Sequence, residues 1–176
     1  LNLPAAHVSE RLCEAADASG AEWVVFVPGN RPFVDITLVD QLLARAIQTN
    51  ECDYIGYTTD DGDHSRVDHL GLTGEVCHSD TLRRLRRNAD RLPSENGRSM
   101  ASWLRHAPGA YHLKFIPMPT ALDRNDLRFA VEDELDWDDV ELLCETLSDE
   151  DSQWQQLTKM VISNNYLRQS METRNS

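Results

Sequence analysis

The sequence predicts an α/β protein with a mixed, mainly parallel sheet flanked by helices. The first observation is an apolar, β-branched run over residues 22–27, which is typical of a strand buried on both faces of a parallel sheet. The second is an amphipathic stretch over residues 36–48, whose apolar positions have helical spacing. A second short apolar run over residues 53–57 follows, and this strand–helix–strand order is typical of a right-handed βαβ unit.

The other elements follow from spacing and from helix-end signals. A helix over residues 8–19 should end at Gly20, and Asp35 should cap the next helix because its carboxylate accepts free backbone N–H groups. Residues 58–68 are polar and acidic, which predicts a loop. Further strands are predicted over residues 71–77, 111–117 and 127–131, and further helices over residues 80–92 (capped by Ser79), 100–106, from 136 to 147 and from 151 onward.

Composition indicates one soluble, cytoplasmic domain of 176 residues. The net charge of −13 argues against general nucleic-acid binding, which depends on a basic surface. No apolar run approaches the ~20 residues that span a membrane, and no signal peptide is visible. The four cysteines are far apart, which favours reduced, buried thiols over a disulfide framework or a zinc site: Cys13, Cys52, Cys77 and Cys144.

A ligand crevice is predicted at residues 29–31. In open α/β sheets, ligands bind just beyond the carboxyl ends of the strands. Asn30 and Arg31 stand at that place after the first strand, so Arg31 could contact a phosphate or a substrate carboxylate. The alternatives are an asparagine with only a turn role and a solvated arginine.

The same stretch resembles a known family. The segment VVFVPGNRPFVDITLVDQLLARAIQTNECDYIGY is similar to the GD-x-P-(L/F)-(I/V)-D, helix, DY segment of sugar-nucleotide cytidylyltransferases, which include CMP-sugar synthetases and spore-coat polysaccharide cytidylyltransferases. Three later segments resemble that family in the same order: GLTGEVCHSDTL, SENGRSMASWLRHAPGAYHLKFIP and DLRFAVEDELDWDDVELL.

The resemblance implies a glycosyltransferase-A-like nucleotidyltransferase fold that lacks its first strands. The family's glycine- and arginine-containing loop, which cradles the nucleotide phosphates, has no counterpart here, so the chain is expected to be truncated at its N-terminus or to have lost that loop. Residues 1–147 would form the cytidylyltransferase-like domain. Residues 148–176 would form a helical tail that packs on this domain or on the partner of a homodimer.

The resemblance also implies transfer of CMP from CTP to a sugar or sugar acid in glycan synthesis. Mg²⁺ would be held at the positions of Asn30 and Glu132, although Asn30 lacks the charge of the family aspartate and Glu132 is one methylene longer; the alternative for Glu132 is a surface acid near a helix start. Substrate contacts fall on Arg31, Gly71, Glu75 and Arg128, with a structural salt bridge as the alternative for Arg128. The rival interpretation is a catalytically degenerate binding or assembly module.

Three further groups of residues could bind a ligand or partner, or could have only a structural or solvated role. The acidic run Asp60-Asp61-Gly62-Asp63-His64, with Asp68 and His69, could bind a cation or be a solvated loop. A basic helix could bind a phosphate or an acidic partner, or be a solvated face whose charges pair internally: Arg83, Arg84, Arg86, Arg87 and Arg91. Trp103, Trp137 and Trp154 are predicted to be core residues.

Overall fold

The computed structural model describes residues 5–49, 51–88, 99–107, 109–147 and 153–176, and all structural statements concern these residues. The chain order of the elements is α1 (Ala5–Ser19), β1 (Trp23–Phe26), α2 (Ile36–Gln48), β2 (Tyr54–Thr58), α3 (His64–Leu70), β3 (Glu75–His78), α4 (Ser79–Arg87), α5 (Met100–Arg105), β4 (Leu113–Pro117), α6 (Glu134–Thr146), α7 (Trp154–Ser163) and α8 (Asn165–Arg174). This is the predicted α/β alternation of strands and helices.

The four strands form one mixed sheet in the order β1-β3-β2-β4, flanked by helices. β3 runs antiparallel to both of its neighbours, with Val76 opposite Val25 on one side and Ile55 on the other. β2 and β4 run parallel, because Asp53 N donates to His112 O and Met118 N donates to Thr58 O. Two of the three neighbouring pairs are therefore antiparallel, so the sheet is mixed as predicted but is not joined mainly by parallel ladders.

β1 differs from its prediction as a strand buried on both faces. It lies at the edge of the described sheet, and Val25 is 36% exposed. Only Val24 and Phe26 face the apolar core, where Phe26 packs against Trp103. The apolar run is explained by alternating inward and outward side chains, and β3 is inserted between β1 and β2 of the predicted βαβ unit.

Helix α2 spans the predicted residues and begins at the predicted cap. Asp35 Oδ1 accepts hydrogen bonds from the backbone N–H groups of Thr37 (2.8 Å) and Leu38 (3.3 Å). The other carboxylate oxygen accepts from Trp154 N at 3.0 Å, at the start of α7. Burial raises the pKa of Asp35, but these hydrogen bonds outweigh it and hold the pKa below its ordinary value. One aspartate therefore organises two helix starts.

The chain divides into two compact units that interleave along the sequence. Unit 1 comprises Leu1–Phe26, Val39–Gly56 and Gly74–Ile116. Its core includes Trp103, Leu82 and Met100, each fully buried. Complete burial of one such side chain contributes about 1.5–3 kcal/mol to stability.

Unit 2 comprises Val27–Leu38, Tyr57–Thr73 and Pro117–Ser176. Its buried residues include Phe33 and Phe129, whose rings meet edge to face with centroids 6.1 Å apart. These units differ from the predicted division into a domain over residues 1–147 and a helical tail over residues 148–176, and that division stays a prediction.

Three local predictions were wrong for identifiable reasons. The predicted loop contains α3, whose start is capped by the Asp63 side chain. Residues 127–131 do not form the predicted strand, because single backbone hydrogen bonds hold them rather than a ladder. Helix α4 is capped by the His78 side chain, which accepts from Asp80 N at 3.1 Å, and not by Ser79. The predicted end of this helix at residue 92 and the break at residues 93–97 lie outside the described residues.

Cys13, Cys52 and Cys77 are buried, as predicted, whereas Cys144 is exposed. Trp103 is a core residue, but Trp137 is 57% exposed, contrary to its prediction. Across the described ranges, every helix is too short or too polar to cross a bilayer.

Candidate functional site

Three separate segments meet within unit 2 and carry most of the predicted site residues. They are residues 29–31, after β1; residues 68–73, at the end of α3; and residues 128–132, before α6. Backbone hydrogen bonds join them: Val131 N donates to Asn30 O at 2.8 Å, and Phe129 N and Ala130 N donate to His69 O at 3.1 and 3.0 Å. Residues far apart in sequence are thereby brought together at the predicted ligand crevice.

Gly71 makes this convergence possible. Its φ is +68°, in the left-handed region, where it ends α3 as the C-cap. A Cβ at this position would lie only 2.5 Å from Ala130 N and 2.8 Å from Ala130 Cα. A residue without a side chain is therefore required both for the backbone conformation and for the close approach of the segment at residue 130.

Arg31 is buried and makes two hydrogen bonds within unit 2. Nη1 donates to Thr73 O at 2.5 Å, and Nη2 donates to Asp68 Oδ1 at 2.9 Å. Burial raises the pKa of Asp68 even though Arg31 favours its charged form. The guanidinium thus holds α3 and the following loop in place, which matches neither a solvated arginine nor an arginine that is free for substrate.

Arg128 is held by a bidentate ion pair. Its Nε and Nη2 donate to the two oxygens of Asp136 at 2.6 and 3.0 Å, and both side chains are buried. Nη2 also reaches Glu132 Oε2 at 3.2 Å, and Nη1 reaches Asn175 Oδ1 at 3.3 Å. Burial raises the pKa of Asp136, but hydrogen bonds from Arg128 and Glu132 N prevail and lower it. The salt-bridge alternative for Arg128 matches this geometry.

Asn30 and Glu132, the positions implied for Mg²⁺, lie on two of the joined segments. The Asn30 side chain makes no hydrogen bond within the described part of the chain, whereas Glu132 pairs with Arg128 and lies 3.7 Å from His69 Nε2. Mg²⁺ requires near-octahedral oxygen coordination. One neutral amide oxygen and one carboxylate already paired with a guanidinium do not fit a tightly held ion.

Glu75 belongs to unit 1, where its carboxylate has structural partners. Ser99 Oγ donates to Oε1 at 2.7 Å, and Met100 N donates to Oε2 at 2.6 Å. These bonds satisfy the start of α5 and bury the carboxylate.

Four neighbours of the crevice were missed as site-forming residues by sequence reasoning: Asp68, His69, Asp136 and Asn175. Asp68 and His69 were considered only as part of an acidic loop. Asn175 donates from Nδ2 to Asn125 O (2.8 Å) and Leu127 O (3.0 Å), which lie 50 and 48 positions earlier in the chain. No local spacing signal exists for such contacts.

The acidic run in residues 60–64 already has an internal cation. Arg66 lies 2.7 Å from Asp61 and 3.3 Å from Asp123, and it donates to Asn125 Oδ1 at 2.7 Å. Side-chain hydrogen bonds from Thr59 and Arg66 lower the pKa of Asp61. The described residues contain no group of three histidine, cysteine or acidic side chains arranged to hold a metal ion.

The basic patch on α4 is largely neutralised within unit 1. Arg83 donates to Asp17 at 2.8 Å, Arg84 pairs with Asp53, and Arg86 lies 3.8 Å from Asp17. This agrees with the solvated, internally paired alternative. Arg91 lies outside the described residues.

Unit 1 also contains an open cleft of about 690 Å³ between the ends of its strands. Two histidines, His78 and His112, line it together with Asp53. The Asp53 carboxylate accepts hydrogen bonds from Thr81, Arg84 and His112 N, so its role is structural. No pattern in the sequence predicted this cleft.

Comparison with known proteins places the fold among those of cytidylyltransferases. The structure is similar to a cytidylyltransferase from Leptospira borgpetersenii serovar Hardjo-bovis (strain JB197), with a TM-score of 0.70 and 15% sequence identity. The match covers 92% of this chain, which spans 65% of the length of that protein. The sequence matches no protein-family model and no curated protein. The likeness therefore defines the fold: an α/β protein with a four-stranded mixed sheet flanked by helices.

Proposed function

We propose that this chain is a nucleotidyltransferase-like protein, related to enzymes that transfer CMP from CTP to a sugar or sugar acid in polysaccharide or glycan synthesis. The observation that carries this proposal is the fold similarity to a cytidylyltransferase at a TM-score of 0.70. The sequence motifs that resemble sugar-nucleotide cytidylyltransferases provide separate support, since they rest on residues rather than on the backbone trace.

The proposed nucleotide site is the crevice around Asn30, Gly71 and Glu132. Asn30 is half-buried, and Gly71 permits the close backbone approach that brings the segments together. Arg31 and Arg128 would act mainly by holding these segments, because protein carboxylates already engage both guanidinium groups. Glu75 would contribute by fixing the start of α5. Positioning of this kind accounts for much of the catalysis in phosphoryl chemistry.

Calorimetric titration of CTP into the purified protein, with and without Mg²⁺, tests the proposal. Because the Mg²⁺ donor set is poor, we expect weak CTP binding by the wild type and at least several-fold tighter, Mg²⁺-dependent binding by Asn30→Asp. Asn165→Asp makes the same chemical change at an exposed position of α8 and should have no effect. Absence of CTP binding by both the wild type and Asn30→Asp, in folded protein, would refute nucleotide binding at this crevice.

A release assay for pyrophosphate, with CTP and a panel of sugars and sugar acids, then tests turnover. If turnover is found, Glu132→Ala should abolish it, while Glu10→Ala on α1 should leave it unchanged. Turnover that survives Glu132→Ala would remove Glu132 from the site.

The second candidate is a binding or assembly module built on the same fold. The observation that favours it is that protein groups already pair with these charges: Asp68 with Arg31, and Asp136 and Glu132 with Arg128. This candidate predicts a folded protein that binds CTP neither as wild type nor as Asn30→Asp. The same titration therefore decides between the two.

A further inference from the structure

We propose that the exposed edge of α6 and the groove beside it form a docking surface for a basic, amphipathic helix of another protein. The surface lies within unit 2, outside the crevice described above, and it involves no nucleotide. The proposal therefore goes beyond the proposed function. Helix-in-groove recognition needs an apolar slot, an exposed helix edge and complementary charge, and each is present here.

The apolar slot is a groove of about 130 Å³ between α6 and the junction of α7 with α8. Leu142, Met160 and Leu167 line it, with the small polar residues Ser163 and Asn164 at the junction. A cavity of about this size holds a molecule as large as benzene. The groove therefore has room for one large apolar side chain of a partner.

The exposed edge follows from the helical repeat of α6. Leu135, Leu142 and Thr146 are spaced i, i+7, i+11, so they form one stripe, and Leu135 is 56% and Leu142 36% exposed. Ile162 (41% exposed) and Tyr166 (66% exposed) are next in sequence to the groove residues Ser163 and Leu167. Exposed apolar residues gathered at a groove mark an interaction site rather than ordinary surface.

An acidic stripe runs beside the apolar one. Its four residues have the spacing i, i+4, i+7, i+11, about 100° around the helix from Leu135 and Leu142; they are Glu134, Asp138, Glu141 and Glu145, all exposed. Within the described part of the chain, none of these four carboxylates forms an ion pair, whereas the buried Asp136 and Asp139 of the same helix pair with Arg128 and Arg174. The outer charge of α6 is thus uncompensated, which favours a cationic partner.

A second copy of this chain is a poorer occupant. Its basic helix is α4, whose apolar residues Leu82 and Leu85 are buried in the core of unit 1. Arg83 and Arg84 on that helix are engaged by Asp17 and Asp53. Among the described residues, no basic helix therefore has a free apolar face, which favours a different polypeptide as the occupant.

Fluorescence-anisotropy titration with a labelled helical peptide tests this surface. The probe is a peptide of leucine, alanine and lysine with leucines at i, i+3, i+4 and i+7 spacing, and its control is the scrambled peptide of the same composition. Leu142→Ser removes the apolar contact. The double variant Glu141→Lys with Glu145→Lys reverses the charge of two residues of the acidic stripe. Matched controls on unit 1 are Ile47→Ser, at another exposed apolar residue, and Glu10→Lys with Glu14→Lys, which has the same spacing on α1. Circular dichroism verifies that each variant is folded.

We expect the amphipathic peptide to bind the wild type and to bind the Leu142 and α6 charge variants at least tenfold more weakly, which corresponds to ~1.4 kcal/mol. The unit 1 variants should bind it like the wild type. Any one of three results would overturn the proposal. They are equal binding of the scrambled peptide, an equal loss of affinity in the α6 and α1 charge variants, or no loss of affinity with Leu142→Ser. Light scattering that shows a dimer dissociated by Leu142→Ser would also overturn it, in favour of a second copy.

Discussion

Arg31 and Arg128 are both buried arginines that pair with an aspartate beside the same crevice, yet their surroundings differ. Arg128 and Asp136 form a bidentate pair with side chains only 5% and 2% exposed. Arg31 makes a single contact with Asp68, whose side chain is 25% exposed. The pKa of Asp136 lies below its ordinary value, and that of Asp68 lies above it.

The difference shows that an arginine nearby does not by itself stabilise a buried carboxylate. Asp136 also accepts a hydrogen bond from the backbone N–H of Glu132 at 2.9 Å, and Arg174 Nε lies 3.4 Å from its Oδ1. Asp68 has only one oxygen in a hydrogen bond to Arg31. At Asp68 burial therefore prevails and raises the pKa, whereas at Asp136 the hydrogen bonds to the charged form outweigh burial and lower the pKa.

The largest expected effect is the loss of the bidentate pair. Asp136→Ala leaves the Arg128 guanidinium buried without its main partner, so the free energy of unfolding should fall by about 3–5 kcal/mol in urea titrations. Asp68→Ala should cost about 1–3 kcal/mol, because it removes one hydrogen bond from a partly exposed site.

Asp126→Ala is the control for that experiment, since Arg124 and Asp126 form a comparable pair in which Arg124 is 36% exposed. Its cost should be about 0–1 kcal/mol. Equal losses for Asp136→Ala and Asp68→Ala would contradict the contrast between the two pairs.

Gly71 lies where the segment that contacts Arg31 meets the segment that carries Arg128, and it should be the next most sensitive position. Gly71→Ala places a Cβ 2.5 Å from Ala130 N at a φ of +68°, so we expect destabilisation by about 2–4 kcal/mol. Gly20→Ala is the matched control: its φ is +66°, but nothing lies within 4 Å of the added carbon, so about 1–2 kcal/mol is expected. Thermal unfolding of both variants measures the difference, and equal shifts in Tm would show that the backbone at residue 130 moves freely.

The smallest expected effect is that Asp68 and Asp136 make the free energy of unfolding depend on pH in opposite senses. Because its folded pKa is raised, Asp68 stabilises the fold most below its ordinary pKa of 3.8, and that contribution is lost as the pH rises through its folded pKa. Because its folded pKa is lowered, Asp136 stabilises the fold above its ordinary pKa of 3.8, and that contribution is lost as the pH falls through its folded pKa.

Free energies of unfolding, measured from below pH 3.8 to neutrality, should therefore change slope in opposite senses. Asp68→Asn should make stability rise more steeply with pH, and Asp136→Asn should make it rise less steeply, by about 1.4 kcal/mol for each unit of pKa shift. Slopes that change in the same sense in the two variants would refute the assignment.

The sequence predicted the elements whose signals are local. Helix α2 and its cap at Asp35 were predicted at the observed residues, because apolar spacing and an N-cap are read within one segment. The order of the strands was not predicted, because β3 pairs between β1 and β2 and no short sequence pattern encodes such a pairing.

The candidate site shows the same limit. The segments that carry Asn30, Gly71 and Glu132 were selected by motif, and the structure brings them together within unit 2. The contact of Arg31 with Asp68, 37 positions away, was not predictable, and neither was that of Arg128 with Asn175, 47 positions away. Whether an arginine faces substrate or holds the fold depends on these distant partners.

The arrangement of the cysteines allows the unfolding of this protein to be followed by the reactivity of its own thiols. Burial raises the pKa of the thiols of Cys13, Cys52 and Cys77, and a thiol must ionise and be reached before it reacts. Cys144 is exposed on α6. A disulfide reagent should therefore titrate one sulfur rapidly in the native protein and the other three only as the chain opens, so that the rate of the slow phase measures opening without any introduced label.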